Sequence, residues 1–188
     1  MHAEIQLTKG YVALIDEADL PIINKYKWHA SERKNSAIAQ TSWRDKITGI
    51  KGHLLMHRFL LNAQTGQSVD HINGNTLDNR RENIRIATAQ ENSWNSKARG
   101  VSGFKGVRPV GRMWLASIAP NDIEINLGQY DTPETAAGVY DLVAKIVYGE
   151  FARLNNISCD PALLEELIAK KRRWLSRIEQ EIAILTGV

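Results

Sequence analysis

The chain holds a single cysteine, Cys159, in 188 residues. That excludes an internal disulfide and any Cys-x-x-Cys zinc knuckle. A reducing compartment is the expectation that follows. No apolar run approaches the ~18 residues of a membrane span, and no basic-then-apolar leader opens the sequence. There is no internal repeat and no low-complexity tract. The excess of one charge sign is small too: the net charge is +3, a modest hint of polyanion binding.

What is present is more telling. Hydrophobic residues make up 43% of the chain, enough for real cores in one large or two small domains. Five basic residues fall between Lys97 and Arg112 (Lys97, Arg99, Lys105, Arg108, Arg112) with no acid among them. From Asn121 to Glu150 there are six acids against Lys145 alone. Such segregation suggests one face that meets phosphate and another that faces water.

Residues 4 to 56 read as mostly strand. Tyr11 to Ile15 is a short apolar run, Asp16 opens a helical stretch through Tyr26, and Ala37 to Trp43 is strand-like before a turn at 45 to 49. Trp28 and Trp43 read as core or sheet-face anchors. Ser68 to Ile72 and Ile84 to Ala87 read as two strands joined by a turn-rich loop. Thr88-Ala89-Gln90-Glu91 fits a capping box opening a helix. Arg99 to Gly103 reads as a linker. Strands at Phe104 to Pro109, Met113 to Ala119 and Glu124 to Tyr130 follow. Thr132-Pro133-Glu134 starts a helix ending at Gly149, and Asp160-Pro161 starts a long one to about Leu185.

The strand–loop–strand–helix segment concentrates chemistry. Asp70 and His71 lead into the loop, Asn83 sits at the edge of the second strand, and Asn92 lies one turn into the helix. A neutral imidazole can take a proton from water, so His71 is the candidate base. Asp70 and Asn92 offer oxygens to a hard cation, and a Mg²⁺ site built from one or two protein oxygens is ordinary. Asn83 can brace His71. His57, Arg58, Arg80, Arg81, Arg85 and Asn95 are candidate DNA contacts. Asn95 falls three residues after Asn92, on the same helical face.

Residues 53 to 97, on Asp70-His71, Asn83 and Asn92, resemble the HNH endonucleases in the variant whose third motif residue is Asn. Met56-His57-Arg58 and the run from Asp78 to Arg85 resemble the phage and intron-encoded branch. The resemblance implies a ββα-metal motif and hydrolysis of DNA phosphodiester bonds, with nicking or double-strand cutting of the homing type. It implies His71 as base, Asn83 as its orienting residue, Asp70 and Asn92 as metal ligands, and one Mg²⁺ or Mn²⁺ ion per active site. It also implies a phage-encoded protein working in the cytoplasm of a bacterial host.

Phe104-Lys105-Gly106-Val107-Arg108, Trp114 to Ile118, the run from Leu127 to Ala137, and Ala152 to Asn155 resemble the AP2 DNA-binding domain. That implies a three-stranded antiparallel sheet on one helix, entering the major groove. Lys105, Arg108, Arg112 and Trp114 are then the candidate DNA contacts. The first turn departs from the plant-type sequence, so base preference does not carry over.

The expected chain is α+β, in four parts. Residues 1–98 form a β-rich segment plus the HNH motif, 99–103 a linker, 104–156 the AP2-like domain, and 157–188 a C-terminal helix. The helical seam Ile168, Lys171, Leu175, Ile178, Ile182 and Leu185 can support a homodimer, although packing back onto the same chain is the favoured expectation. Duplex DNA is the expected partner. The rival readings are a non-catalytic AP2-type regulator with the HNH module as scaffold, and an RNA-directed or structure-specific nuclease.

Overall fold

A computed structural model describes residues 1–170 apart from Asn35, Asp45 and Cys159. It has the expected α+β character, with several small antiparallel sheets. The chain divides into two compact units, one spanning Met1–Ser93 and one beginning at Trp94.

The first unit opens with β1 (His2–Gln6) paired antiparallel to β2 (Val12–Asp16). The helical stretch expected from Asp16 to Tyr26 is shorter. A single 3-10 turn at Glu17–Asp19 leads into α1 (Leu20–Ile23), and a turn at Asn24 to Tyr26 then ends it. Trp28 fixes the exit, donating its indole N–H to the Ile23 carbonyl at 2.9 Å.

A three-stranded sheet follows, β3 (His29–Arg33), β4 (Ser36–Arg44) and β5 (Lys51–Leu55), with β4 central. Its pairing is staggered. β3 covers Ser36 to Gln40 of the long middle strand, whereas β5 covers Gln40 to Arg44. Beyond Gln40 the sheet is therefore a two-stranded ribbon. β5 runs straight into α2 (Met56–Leu60). Ala13, Ile15, Ile23, Trp28, Ala39, Met56, Leu60 and Ile84 form the core beneath these elements. Trp28 is the buried anchor expected of it, but Trp43 is 51% exposed.

The ββα segment takes the expected form. β6 (Ser68–His71) pairs with β7 (Ile84–Ala87), and α3 (Ala89–Trp94) follows. The capping box is present in both directions. The Glu91 amide donates to the Thr88 hydroxyl at 3.1 Å and the Thr88 amide to the Glu91 carboxylate at 2.6 Å.

The N-terminal strands hold the loop between β6 and β7. The Leu14 amide donates to the Leu77 carbonyl and the Asn79 amide to the Leu14 carbonyl, both at 2.8 Å. Thr76 reaches the Ala37 carbonyl at 2.6 Å. Backbone groups of the loop are thus satisfied by a strand edge rather than by water.

In the second unit, β8 (Val107–Val110), β9 (Met113–Ile118) and β10 (Ile125–Tyr130) form an antiparallel sheet with β9 central. One face packs on α4 (Pro133–Tyr148), burying Val107, Ala116, Ile118, Leu127, Ala137, Tyr140 and Ala144. Gly106 stands at φ +73°, and a Cβ there would lie 2.0 Å from the Tyr140 ring, so no larger residue fits. Buried Asp141 accepts from the Asn155 amide at 2.8 Å and the Ile157 amide at 3.2 Å. Asn155 in turn accepts from the Lys105 amide at 2.7 Å. This knot fastens the chain after α4 to the start of the sheet.

Trp94 to Ala98 belong to this unit rather than to the first. Trp94 stacks on Tyr148 with ring centroids 4.5 Å apart, and its carbonyl accepts from the Arg153 amide at 3.3 Å. α5 (Pro161–Lys170) starts at the expected Asp160-Pro161. The dimer seam from Lys171 onward lies outside the described residues. Among the described residues no helix is long and apolar enough to cross a membrane.

Candidate active site

Asp70 and His71 end β6, directly opposite Arg85 and Ile84 on β7. Both side chains are buried, despite starting on opposite faces of the strand. Asn79 and His57 both meet the His71 ring. Asn79 places Oδ1 3.5 Å from Nε2. Because the Asn79 amide nitrogen already donates to the Leu77 carbonyl at 3.1 Å, its oxygen is the atom turned to the ring. The long contact favours a proton on Nε2, which leaves Nδ1 as the ring nitrogen carrying the lone pair. His57, on α2, packs edge-on against the same ring with centroids 5.0 Å apart.

Burial is the largest influence on both imidazoles, and it disfavours their charged forms. It pushes His57 down to about 3, helped by the charges of His71, Arg58 and Arg33. Among the described residues His57 Nδ1 is buried with no hydrogen-bond partner. Burial also lowers His71, against the opposing pull of Asn79, Asp70 and Asp78. A ring neutral at pH 7 is the form that can accept a proton.

The depressed His57 value has a consequence for stability. Unfolded, the ring binds a proton near its ordinary pKa of ~6.5, whereas folded it stays neutral far below that. Its contribution is complete above that pH and is lost as pH falls toward the folded value. We expect the melting temperature of the chain to drop between pH 7 and pH 5, and His57→Gln to flatten that dependence. One such group accounts for up to ~1.4 kcal/mol per pH unit. Thermal unfolding of both proteins across this range is the measurement, and parallel curves would refute the assignment.

The side-chain hydrogen bonds of Asn83 go to the loop. Its Oδ1 accepts from the Asn73 amide at 3.0 Å, and its Nδ2 donates to the Asp78 carbonyl at 2.7 Å. It braces the loop that carries the base, and Asn79 is the asparagine at the ring. Asp78 organises the rest of that loop. Nearly inaccessible, it accepts two contacts of 2.8 Å from Arg80 and one of 2.8 Å from Asn73, which hold its carboxyl below the usual range.

The arginines expected on phosphate each have partners within the chain, Arg81 while its side chain stays half exposed. Arg85 donates to Asp70 Oδ2 through Nε at 3.0 Å and Nη2 at 2.8 Å. Arg81 makes a two-pronged pair with buried Asp19 at 3.0 and 2.8 Å. Arg80 holds Asp78, and Arg58 donates to the carbonyls of Ala63, Gln64 and Gln67. Their guanidinium groups shape the site's scaffold.

Asn92 is exposed on α3, whereas Asn95 is buried beyond the helix end, so the two do not share one open face. Among the described residues, no three His, Cys, Asp or Glu side chains gather as a metal cluster. The oxygens near His71 are the Asp70 and Asp78 carboxylates and side-chain amide carbonyls. That donor chemistry suits a hard cation completed by phosphate and water.

On the second unit's sheet, Arg108, Leu115 and Gln129 occupy one register row. Arg108 is exposed and lies 3.5 Å from Glu124, and Arg112 is exposed at the adjoining turn. Trp114 is partly buried, packed against the core. The Lys105 ammonium is held by the Trp94 carbonyl and by the Ser96 carbonyl at 2.9 Å, an anchoring role rather than a phosphate contact.

Comparison with known proteins agrees with this geometry. Residues 63–94 match the family model described as HNH endonuclease, a span containing the whole ββα segment. The chain is 32% identical over 156 residues to a protein named as an HNH endonuclease from Acanthamoeba polyphaga mimivirus, covering 79% of this chain and 77% of that one. It is 34% identical over 92 residues to Protein 3.8 of Escherichia phage T7, covering 47% of this chain and 75% of the phage protein. With a buried, neutral histidine at the end of β6 and a relative matched over most of both chains, this protein belongs to the HNH endonuclease family and is a DNA-cleaving hydrolase.

Proposed function

We propose a metal-dependent endonuclease of the homing type, in which the first unit nicks duplex DNA and the second reads sequence in the manner of an AP2 domain. The observation that carries the catalytic part is His71, buried, neutral and held between Asn79 and His57. His71 takes a proton from water at Nδ1, and the resulting hydroxide attacks the scissile phosphorus in line. The imidazolium so formed is stabilised by the nearby carboxylates of Asp70 and Asp78 and by the Asn79 oxygen, the groups that raise its proton affinity. Asp70 and Asn92 are the residues that would hold Mg²⁺ or Mn²⁺. When bound, such an ion neutralises charge on the phosphate and the leaving 3′ oxygen. One such site per chain makes single-strand nicking the natural product.

Side-by-side cleavage of duplex DNA, single-stranded DNA and RNA, with and without Mg²⁺, tests the reading. Duplex nicking that requires the metal is expected. Cleavage of RNA in preference to duplex DNA would overturn it.

Support for the reader is the sheet row in which exposed Arg108 and Gln129 flank buried Leu115. The pairing of Arg108 with Glu124 is long, and both side chains are about half exposed, so it costs little to break. If Arg108 bonds a guanine edge, Arg108→Ala should cost ~1–3 kcal/mol of binding and relax preference at one position. Affinities for single-base site variants decide this. A uniform loss across all sequences would mark a phosphate contact instead.

A further inference from the structure

The two-stranded end of the first unit's sheet has a surface unlike the rest of that unit. Between Ser42 and His53 almost every described residue is exposed, on both faces of the ribbon. Ile47 is 96% exposed and Ile50 is 60% exposed, while Trp43 is half exposed. The indole does not hang loose. It lies across Gly52, its cross-strand partner, where a Cβ would come within 2.4 Å of the ring. Glycine at this position gives the aromatic ring a flat seat. The flanking charges are Arg44, Lys46 and Lys51, with Asp45 the only acid between Thr41 and Leu55. Three exposed apolar side chains thus sit on a cationic ribbon outside the core of this unit.

We propose that this β4–β5 ribbon is a DNA-contacting arm of the nuclease unit, entering the major groove of duplex DNA next to the cleaved strand. A two-stranded β-ribbon is an element that the major groove is wide enough to admit. Arg44, Lys46 and Lys51 supply the charge complementary to the phosphates lining it. Trp43, Ile47 and Ile50 supply apolar surface for sugars and thymine methyl groups. The placement also couples the arm to the chemistry. β5 passes without a loop into α2, and the second residue of that helix, His57, packs on the ring of His71. DNA held by the ribbon is thereby referenced to the base. The internal pairing of Arg58, Arg80, Arg81 and Arg85 strengthens the case, since a nuclease unit whose arginines are so engaged needs cations elsewhere to hold its substrate. The inference rests on the DNA-cleaving activity of the family but on none of the proposed metal ligands.

The test uses the full chain. One variant combines Arg44→Ser, Lys46→Ser and Lys51→Ser, and a second combines Ile47→Ser with Ile50→Ser. Both change exposed side chains, so the melting temperature should hold. For the charge variant, the slope of log affinity against log salt should fall by roughly 2 to 3, near 0.9 for each phosphate no longer neutralised. For both variants KM for duplex nicking should rise at least several-fold with kcat retained. p-Benzoylphenylalanine at position 47 should crosslink to duplex DNA on irradiation. A wild-type chain that binds and nicks duplex DNA, with both variants matching it in slope and KM, would overturn the arm while leaving the nuclease reading intact. A crosslink only to a second copy of the chain would overturn it in favour of an oligomer contact. A wild-type chain that neither binds nor cuts duplex DNA would overturn the nuclease reading and the arm with it.

Discussion

His71→Ala should abolish cleavage while leaving DNA binding close to that of the unaltered protein. Deleting the group that takes the proton from water costs ~10²–10⁴-fold in rate. The affinity should survive because the candidate contact surfaces, the β4–β5 ribbon and the Arg108 row of the β8–β10 sheet, contain neither this side chain nor its partners. Folding should survive as well. His71 is buried, but its contact with Asn79 is long and that with His57 is edge-on, and alanine leaves no charge behind. Single-turnover nicking with excess enzyme, alongside equilibrium binding, separates the two effects. Wild-type nicking by this variant would dismiss His71 as the base. Equal losses of binding and cleavage would mean that the ring holds the loop rather than the water. Asn79→Ala is the companion experiment. It removes the oxygen at Nε2, so it should lower kcat and leave KM unchanged. Asn83→Ala should act mainly on stability, through the hydrogen bonds to Asn73 and Asp78 that it removes.

That contrast between two asparagines marks where the sequence stopped being readable. Whatever depends on local pattern is visible in the residues themselves. The two short runs around Asp70 and Ile84 read as strands, and the structure pairs them. Thr88 and Glu91 announce a helix start that the structure then makes with both hydrogen bonds. Thr132 and Pro133 do the same for α4, where Thr132 accepts from the Thr135 amide. Chain spacing cannot tell which asparagine turns an oxygen toward a ring, because that depends on how the loop between β6 and β7 folds back. The loop's path is fixed by β2, far earlier in the chain, through the bridge between Leu14 and Asp78. The internal partners of the arginines are hidden for the same reason. Arg81 looks like a phosphate ligand until Asp19 is brought beside it, and Arg85 until the β6–β7 register sets it opposite Asp70. An aromatic residue on a strand is read as an anchor by default. Trp43 departs from that because β3 stops short and leaves its part of β4 without a third strand.

Arg85→Ala should produce the largest loss of stability at the site, and its response to Mg²⁺ should reveal what Asp70 is for. The Asp70 side chain is 3% accessible and that of Arg85 is 12% accessible, so the pair is desolvated. Removing one partner of such a pair strands the other's charge in a poor solvent, at a typical cost of about 3–5 kcal/mol. Asp70→Ala alone removes the carboxylate and should abolish cleavage if Asp70 holds the cation, but a dead variant cannot distinguish a lost ligand from a disturbed hairpin. The arginine variant can. With Arg85 gone, the carboxylate remains in place without its guanidinium, and a divalent cation is the species able to replace the missing positive charge. Mg²⁺ should therefore raise the melting temperature of Arg85→Ala by more than it raises that of the unaltered chain, because binding to the folded state alone stabilises it by mass action. EDTA should return the variant to its destabilised state. The double variant Asp70→Ala/Arg85→Ala should lose the response to Mg²⁺ while recovering part of the stability, since no buried charge is left unpaired. Thermal unfolding of the four proteins with Mg²⁺ and with EDTA carries the whole comparison. If Mg²⁺ shifts the arginine variant no further than wild type, the cation does not reach Asp70. The carboxylate would then belong to the scaffold as the partner of Arg85, and the metal ligands would have to be sought among the exposed oxygens near Asn92.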